Sequence, residues 1–388
     1  MRLNLRVAHL DSLLSGGGTD DQCIKLAHGM HQIGQEVWLA GPGGRELSGL
    51  VQELGLPFHA TPPEGPLKIR FILGAANLIR RERIQIVHGH HGRDLWPTVL
   101  AARLSGRRPK IVLTRHLAKS PSTGFSRRCL LGQCDALIAV SHFVAKVLRE
   151  GVYEPNSPTP ERRARPPLKG DLSKIHVIHG GIDTERFRPL EAAAQRQAWG
   201  LEPEHFAFAA LGGYDLPRGK GQREFLLAAA RVSGKIPQAR FLIVGRGTMK
   251  QILEADIARL GLTGKAWLTP YCQDMPAGMN ALDCLVHSQV GTEAFPGVLL
   301  EAFACGKPVI ASALDGIPEA FAAGNYGQLV QPEAVDELAA ALAHWARQPR
   351  PSRADQLALH ERLSARFSLA ATVQNVLALY SQLLQRAI

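Results

Sequence analysis

Short β-branched runs alternate with amphipathic stretches along nearly the whole chain, and this alternation restricts the fold more than any other feature. Strand-like runs fall at 5–10, 36–40, 84–88, 110–114, 136–140 and 175–179, with helical patterns such as 20–33 and 95–104 between them. A second series follows at 206–210, 240–244, 266–269, 284–287, 308–311 and 328–330. Successive parallel strands need a crossover, and a helix supplies it, so the expected class is α/β with parallel sheets. Two series in 388 residues imply two domains, each long enough to bury its own core. The first is expected over 1–186 and the second over 187–368, with a last amphipathic helix in 369–388 packing back on the first. The 153–171 segment holds Pro155, Pro158, Pro160, Pro166 and Pro167 beside Arg162, Arg163 and Arg165. It reads as a loop rather than packed core.

Several classes drop out. No run of about 18 apolar residues occurs, so no membrane-spanning helix is expected. The start shows no apolar leader with a small-residue cleavage site, so no secretory signal is expected. Six cysteines (Cys23, Cys129, Cys134, Cys272, Cys284, Cys305) are dispersed without a C-x-x-C pair, which fits a reducing compartment and a cytoplasmic location.

The formal charge is +11, which admits nucleic acid, an anionic membrane surface or an anionic small molecule as partner. Between Pro66 and Leu130 the only acids are Glu82 and Asp94, amid a crowd of Arg and Lys. Within it, 66–84 mixes Ile69, Phe71, Ile72, Leu73, Leu78 and Ile79 with Lys68, Arg70, Arg80, Arg81 and Arg83. A basic amphipathic helix of this kind can lie on an anionic bilayer, or pack on its own sheet with a solvated rim. No nucleic-acid partner is expected, because Phe71, Trp96 and Phe125 stand too far apart in the chain to interleave the basic run.

The strongest chemical signal is Glu293-Ala-Phe295-Pro296-Gly297-Val298-Leu299-Leu300-Glu301. Glu293 closes a loop after a strand, Gly297 permits close backbone approach, and a helix is expected from about 298 to 305, ended by Gly306-Lys307-Pro308. A helix N-terminus beside a loop is a ready anion site. A carboxylate one turn further on, Glu301, suits paired hydrogen bonds from vicinal hydroxyls such as a ribose. The loop Gly16-Gly17-Gly18 lacks G-x-G-x-x-G spacing, which argues against NAD. His88, His90 and His91 have no acidic or thiol partner at ligand spacing, so no metal is expected. His90, His91 and His116 instead fall at the carboxyl ends of strands, where open α/β sheets bind ligands.

The run from Glu293 through Glu301 to Ile310, with Gly316-Ile317-Pro318-Glu319, resembles the donor-site signature of retaining GT-B nucleotide-sugar glycosyltransferases of family 4. Further short motifs match in the same order: the Gly16–Gly18 loop, Val87–His90, Leu113–His116, Ile138–Ser141, His179–Asp183 and Leu242–Gly247. The resemblance covers most of the chain. It implies a GT-B architecture of two Rossmann-like domains facing across a cleft, with donor on the second and acceptor on the first. It implies no cofactor and no metal, the nucleotide diphosphate sugar being a co-substrate. The nucleotide is expected to carry uridine, with guanosine the alternative, and the acceptor to be a glycan or lipid-linked hydroxyl of cell-envelope or lipopolysaccharide synthesis, with a soluble metabolite the alternative. The enzyme would then be cytoplasmic or peripheral on the inner face of the membrane.

Carried onto this chain, the resemblance gives Glu301 to the ribose and Glu293 to the sugar hydroxyls. Phe295, Pro296, Gly297, Val298 and Leu299 form the backbone loop around the diphosphate, with Gly17, Gly18, Gly245 and Arg246 also on the donor. Arg218 and Lys220 stabilise the leaving diphosphate, His116 positions the sugar, and His90 and His91 lie on the acceptor side. Departures exist. Gly180-Gly181 stands where Asn-Gly is common, and Asp215 stands at the usual Arg spacing before Lys220. Arg218 is the expected substitute for that Arg. An epimerase, a phosphorylase or a binding module without turnover are the alternative readings of the same fold.

Overall fold

The computed structural model describes residues 4–44, 46–61, 68–269 and 272–385. The chain separates into two compact units, one of residues 1–181 with 369–388 and the other of 182–368.

In the first unit seven strands form one parallel sheet: β1 (Arg6–Leu10), β2 (Glu36–Pro42), β3 (Phe58–Thr61), β4 (Ile86–Gly89), β5 (Lys110–Arg115), β6 (Ala136–Ala139) and, after a two-stranded ribbon of β7 (Val152–Tyr153) and β8 (Ala164–Arg165), β9 (Ile175–Val177). Their order is β3-β2-β1-β4-β5-β6-β9. The second unit has β10 (Phe206–Leu211), β11 (Ala239–Val244), β12 (Ala266–Thr269), β13 (Cys284–His287), β14 (Val309–Ser312) and β15 (Gly327–Val330), in the order β12-β11-β10-β13-β14-β15. Both are doubly wound Rossmann-type sheets. The order reverses between β1 and β4 in one and between β10 and β13 in the other, and the carboxyl edge beside such a reversal is where ligands bind.

Both faces of the second sheet are buried, and side chains alternate strictly between them. Phe206, Phe208, Phe241 and Ile243 pack into one core layer, while Ala207, Ala209, Leu211, Leu242 and Val244 pack into the other. In the first unit Leu5 and Val7 pack with Cys23, Ile24 and Met30 of the helix Gly18–Gln32. Val373, Val376, Leu379, Tyr380 and Leu383 of the C-terminal helix Leu369–Gln385 complete that core. Residues 386–388 of the expected last segment lie outside the described residues.

This helix is fixed by a polar bond as well as by burial. Tyr380 and His88 are both fully buried, the Tyr380 hydroxyl lies 2.6 Å from His88 Nδ1, and His88 Nε2 lies 2.6 Å from Thr114 Oγ1. Tyr380→Phe leaves the His88 nitrogen unpartnered in the core and is expected to cost about 1–3 kcal/mol. Urea unfolding of the two proteins measures it; an unchanged midpoint would show that water replaces the hydroxyl.

Strand boundaries move by one or two residues from the sequence expectation, and three features differ in kind. The edge strand β3 was not foreseen, because Phe58, His59 and Ala60 show neither a continuous apolar run nor clean alternation. The 153–171 segment is not merely a loop. It carries the β7–β8 ribbon and the turn Pro160–Arg163, and Arg165 is fully buried. Arg165 donates to Glu154 Oε1 at 2.8 Å and to the Ala118 carbonyl at 3.2 Å, with its guanidinium 5.1 Å from the Phe143 ring centre. The division between units falls after Gly181 rather than after 186. Ile182 is 1 % exposed, joins the second core with Phe187, and donates its N–H to the Phe367 carbonyl at 3.0 Å.

Candidate functional site

In the second unit the carboxyl ends of β10, β11 and β13 converge. Close backbone approach builds this edge. A Cβ on Gly221 would lie 1.7 Å from the Ser288 carbonyl oxygen, and one on Gly245 2.2 Å from that of Gly212, so both positions demand glycine. Ser288 Oγ donates to the Gly221 carbonyl at 2.7 Å, which locks the 219–221 turn against the loop after β13.

That packing brings Lys220 to Glu293, 73 positions away, with Nζ 3.3 Å from Oε2. His287 Nε2 lies 3.8 Å from the same oxygen. Burial works against the charged Glu293 carboxyl, but Lys220 and then His287 outweigh it, and the carboxyl is held below its usual range. The Glu293 N–H donates to Asp315 Oδ2, and the Gly316 N–H to the Glu293 carbonyl. The helix Gly297–Ala304 starts just beyond, one residue earlier than expected, and its first turn presents backbone N–H groups. Glu301 lies one turn into that helix and is half-buried. The assembly is one cation, one fixed carboxylate and a helix N-terminus around a loop. It can hold a polyol and an anion together.

Asp215, at the position of the family's usual Arg, has its own role. Its Oδ1 accepts the Thr248 N–H at 2.9 Å, and with Leu216 N–H to Thr248 Oγ1 and Met249 N–H to the Tyr214 carbonyl it staples the loop after β10 to the loop after β11. Tyr214 donates from its hydroxyl to the Gly245 carbonyl at 3.0 Å. Arg218 is 3.7 Å from Glu333 on the surface, and Arg246 is exposed. Phe295 packs on Phe367, ring centres 6.1 Å apart. Leu299 is fully buried and shapes the loop from the core, its N–H donating to the Pro296 carbonyl at 3.2 Å.

His287 is expected to make stability depend on pH. Burial lowers its pKa to about 4, with Glu293 opposing and Lys220 adding. The unfolded imidazole titrates near 6.5, so between these values the unfolded chain binds the extra proton and acid favours unfolding. The slope is about 1.4 kcal/mol per pH unit, or about 3 kcal/mol across the window. Urea unfolding at pH 7 and pH 5 should show a shallower dependence for His287→Gln; equal slopes would mean the imidazole is solvated.

At the edge of the first sheet, the helix Gly18–Gln32 begins after Gly17, with Gly16 at φ +97° and Gly17 at φ +133°. Asp20 Oδ2 accepts the N–H groups of Ser15 and Gly16, both at 3.0 Å, and so orders this loop. Asp20 was not singled out from the sequence, although an acid two residues into a helix after glycines is a cap signal. His90 is 2 % exposed, with Nε2 2.9 Å from His9 Nδ1, and with His116 it lines a small recess of the first unit. His91 is half-buried, 3.9 Å from Asp20 Oδ1. His116 stacks on His90 with centres 5.9 Å apart, and burial, followed by His91 and Arg115, lowers its pKa to about 3, so the ring is neutral.

The basic stretch folds into the helix Ile69–Arg81, which buries Phe71, Ile72, Leu78 and Ile79; Pro66 and Leu67 lie outside the described residues. Ile69, Arg70, Leu73, Arg80, Arg81 and Arg83 remain exposed. Trp96 and Phe125, distant in sequence, are brought together by the fold, stacked with centres 5.0 Å apart and Phe125 64 % exposed. The reading of these aromatics as scattered is corrected accordingly. No described helix is long and apolar enough to cross a membrane.

Residues 16–158 match the family model described as Glycosyltransferase Family 4, and residues 206–348 the one described as Glycosyl transferases group 1. The chain thus has the GT-B fold and carries two glycosyltransferase family domains, one in each unit. Among relatives of this chain, a D-inositol 3-phosphate glycosyltransferase of Mycolicibacterium paratuberculosis is 32 % identical over 216 residues, 54 % of this chain and 48 % of the relative. The chain thus spans about half the length of such relatives. A Bacillus subtilis protein named as the glycosyltransferase EpsD is 26 % identical over 364 residues, 90 % of each chain. Two solved structures share the fold. Anabaena Alr3699/HepE in complex with UDP-glucose has a TM-score of 0.79 at 20 % identity, covering 97 % of this chain and 99 % of that one. A glycosyltransferase from Rickettsia africae has a TM-score of 0.81 at 19 % identity, covering 98 % and 99 %.

Proposed function

We propose that this glycosyltransferase moves a hexosyl or N-acetylhexosaminyl unit from a nucleotide diphosphate sugar, a UDP-sugar in the first instance, to a hydroxyl of a glycan or lipid-linked acceptor, with retention at the anomeric carbon. The observation that carries the reading is the Lys220–Glu293 pair set beside the helix Gly297–Ala304 at the switch edge of the second sheet. The UDP-glucose in the Anabaena neighbour supports the donor class. Glu301 takes the ribose hydroxyls and Glu293 the sugar hydroxyls. Lys220 and the helix N-terminus face the diphosphate, with Arg218 able to swing from its surface pair. As the C1–O bond to phosphate breaks, these groups hold the growing negative charge. The acceptor oxygen bonds to C1, and its proton passes to the departing phosphate oxygen. No metal is required for this step, and His116 keeps the role that the resemblance gives it. The exposed basic and apolar residues of the helix Ile69–Arg81 are the proposed contact with an anionic membrane surface, which would put the enzyme on the inner face of the membrane.

Thermal-shift binding to a panel of nucleotides and nucleotide sugars tests the donor site, because a ligand of the folded state raises the melting temperature. One nucleoside diphosphate family should stabilise the wild type and fail to stabilise Glu301→Ala. No shift at millimolar concentration would overturn the reading. A changed nucleotide sugar released without acceptor would make the enzyme an epimerase.

A further inference from the structure

We propose that His9, Cys23 and His90 form a binding site for a borderline-soft divalent cation of the zinc class, buried in the first unit. One ring nitrogen from each histidine and the Cys23 sulfur lie within 4.8 Å of one another. The three residues come from β1, the helix Gly18–Gln32 and the turn after β4, and are 0 %, 0 % and 2 % exposed. Sequence spacing hides the group, since only His90 belongs to the visible histidine run.

The geometry is close to a chelate. His9 Nδ1 and His90 Nε2 are 2.9 Å apart, whereas two imidazole nitrogens on one tetrahedral zinc stand roughly 3.3 Å apart for bonds of about 2.0 Å. A separation of a few tenths of an ångström is all that divides a ring–ring hydrogen bond from a shared cation. Among the described residues His9 Nε2 and His90 Nδ1 are buried with no hydrogen-bond partner. A cation on the facing Nδ1–Nε2 pair would not reach these two outer nitrogens, so their lack of partners is separate from the site.

The buried carboxyls around the group act in both senses. Asp11, Asp20 and Asp94 are 0 %, 2 % and 0 % exposed and would draw a cation, but burial and then these carboxyls push the Cys23 thiol up, so the thiolate forms only with the cation. Lys68 pairs with Asp94 at 3.1 Å, and Asp11 Oδ2 has no hydrogen-bond partner among the described residues. Binding exchanges the Cys23 thiol proton for the cation: the S–H bond breaks, the S–metal bond forms, and one proton leaves to solvent. The nitrogen–nitrogen–sulfur set favours zinc over hard oxygen-seeking cations. Three protein ligands leave the fourth tetrahedral position to a water, and the cation ties β1, the first helix and the turn after β4 together; the transfer chemistry does not pass through it.

The test uses the purified full chain and cobalt(II) as probe. One equivalent should give tetrahedral visible bands and a thiolate-to-cobalt absorption, both displaced by zinc. Cys23→Ser should lose the thiolate band, while Cys134→Ser, altering another buried cysteine, keeps it. Absence of the band in wild type, or its survival in Cys23→Ser, overturns the site. Should Cys23→Ser fail to fold, zinc absorption spectroscopy on the wild type decides: one sulfur at about 2.3 Å with nitrogens near 2.0 Å supports the site, and a shell without sulfur overturns it.

Discussion

On the proposed function, Lys220→Ala is expected to slow transfer from the UDP-sugar donor by about 10²–10³-fold, the usual loss when one pre-positioned group facing developing charge is removed. The Lys220 side chain is 42 % exposed, so truncation should leave the second unit folded and the loss should fall on the chemistry. Its partner behaves differently. Glu293 is 17 % exposed and holds Lys220 in place at 3.3 Å, so Glu293→Ala frees the ammonium while deleting the acceptor for sugar hydroxyls. That variant should keep nucleotide affinity and lose turnover, whereas Lys220→Ala should weaken both. Lys220→Arg should recover only part of the rate, because a planar fork does not reproduce a compact ammonium in this turn. The two single losses should not add in the double variant, as each disrupts the same pair. Initial rates of UDP release, with nucleotide affinity measured alongside, separate these outcomes. A loss under about tenfold in Lys220→Ala would remove Lys220 from the diphosphate site.

Much of this arrangement was legible in the sequence, for identifiable reasons. The two βα series follow from runs such as Phe206–Leu211, where both faces are apolar and only a sheet covered on both sides fits. Glu293, Gly297 and Glu301 sit on one continuous strand–loop–helix, so their spacing carries their geometry. The Lys220–Glu293 contact was not readable. It depends on Gly221 meeting the Ser288 carbonyl, a close approach between segments 67 positions apart. The same holds for Trp96 on Phe125 and for Cys23 beside His9 and His90. Sequence shows which residue types a segment offers; crossover packing decides which of them meet. Asp215 is the instructive case. Motif spacing marks it as a missing Arg, and only its bond to the Thr248 N–H shows a carboxylate chosen to join two loops.

Asp283→Ala should be among the most destabilising single substitutions in the second unit, by about 3–5 kcal/mol. The carboxylate precedes β13 and is 8 % exposed. Its Oδ2 accepts the Ala207 N–H at 2.8 Å and Arg196 at 3.1 Å, and its Oδ1 accepts Arg350 Nε at 2.6 Å. Lys307 stands in the same wall, donating to the Asn280 carbonyl at 2.9 Å. Burial lowers the Lys307 pKa, and Asp283 is the first group opposing that shift. Three cations therefore share one buried carboxylate, against a cavity of about 620 Å³ that also touches Arg353. Removing it leaves a guanidinium 17 % exposed and a buried ammonium without their counter-charge, and orphans the β10 N–H that sets the β10–β13 pairing. Asp283→Asn keeps an acceptor for Ala207 but not the charge, so it should lose less. Since a domain's whole stability is about 5–15 kcal/mol, the alanine variant should show a large fall in urea midpoint or fail to accumulate. A loss below about 1 kcal/mol would mean that the carbonyls of Ala281, Glu202 and His205, which also accept from Arg196, hold the cations without the carboxylate.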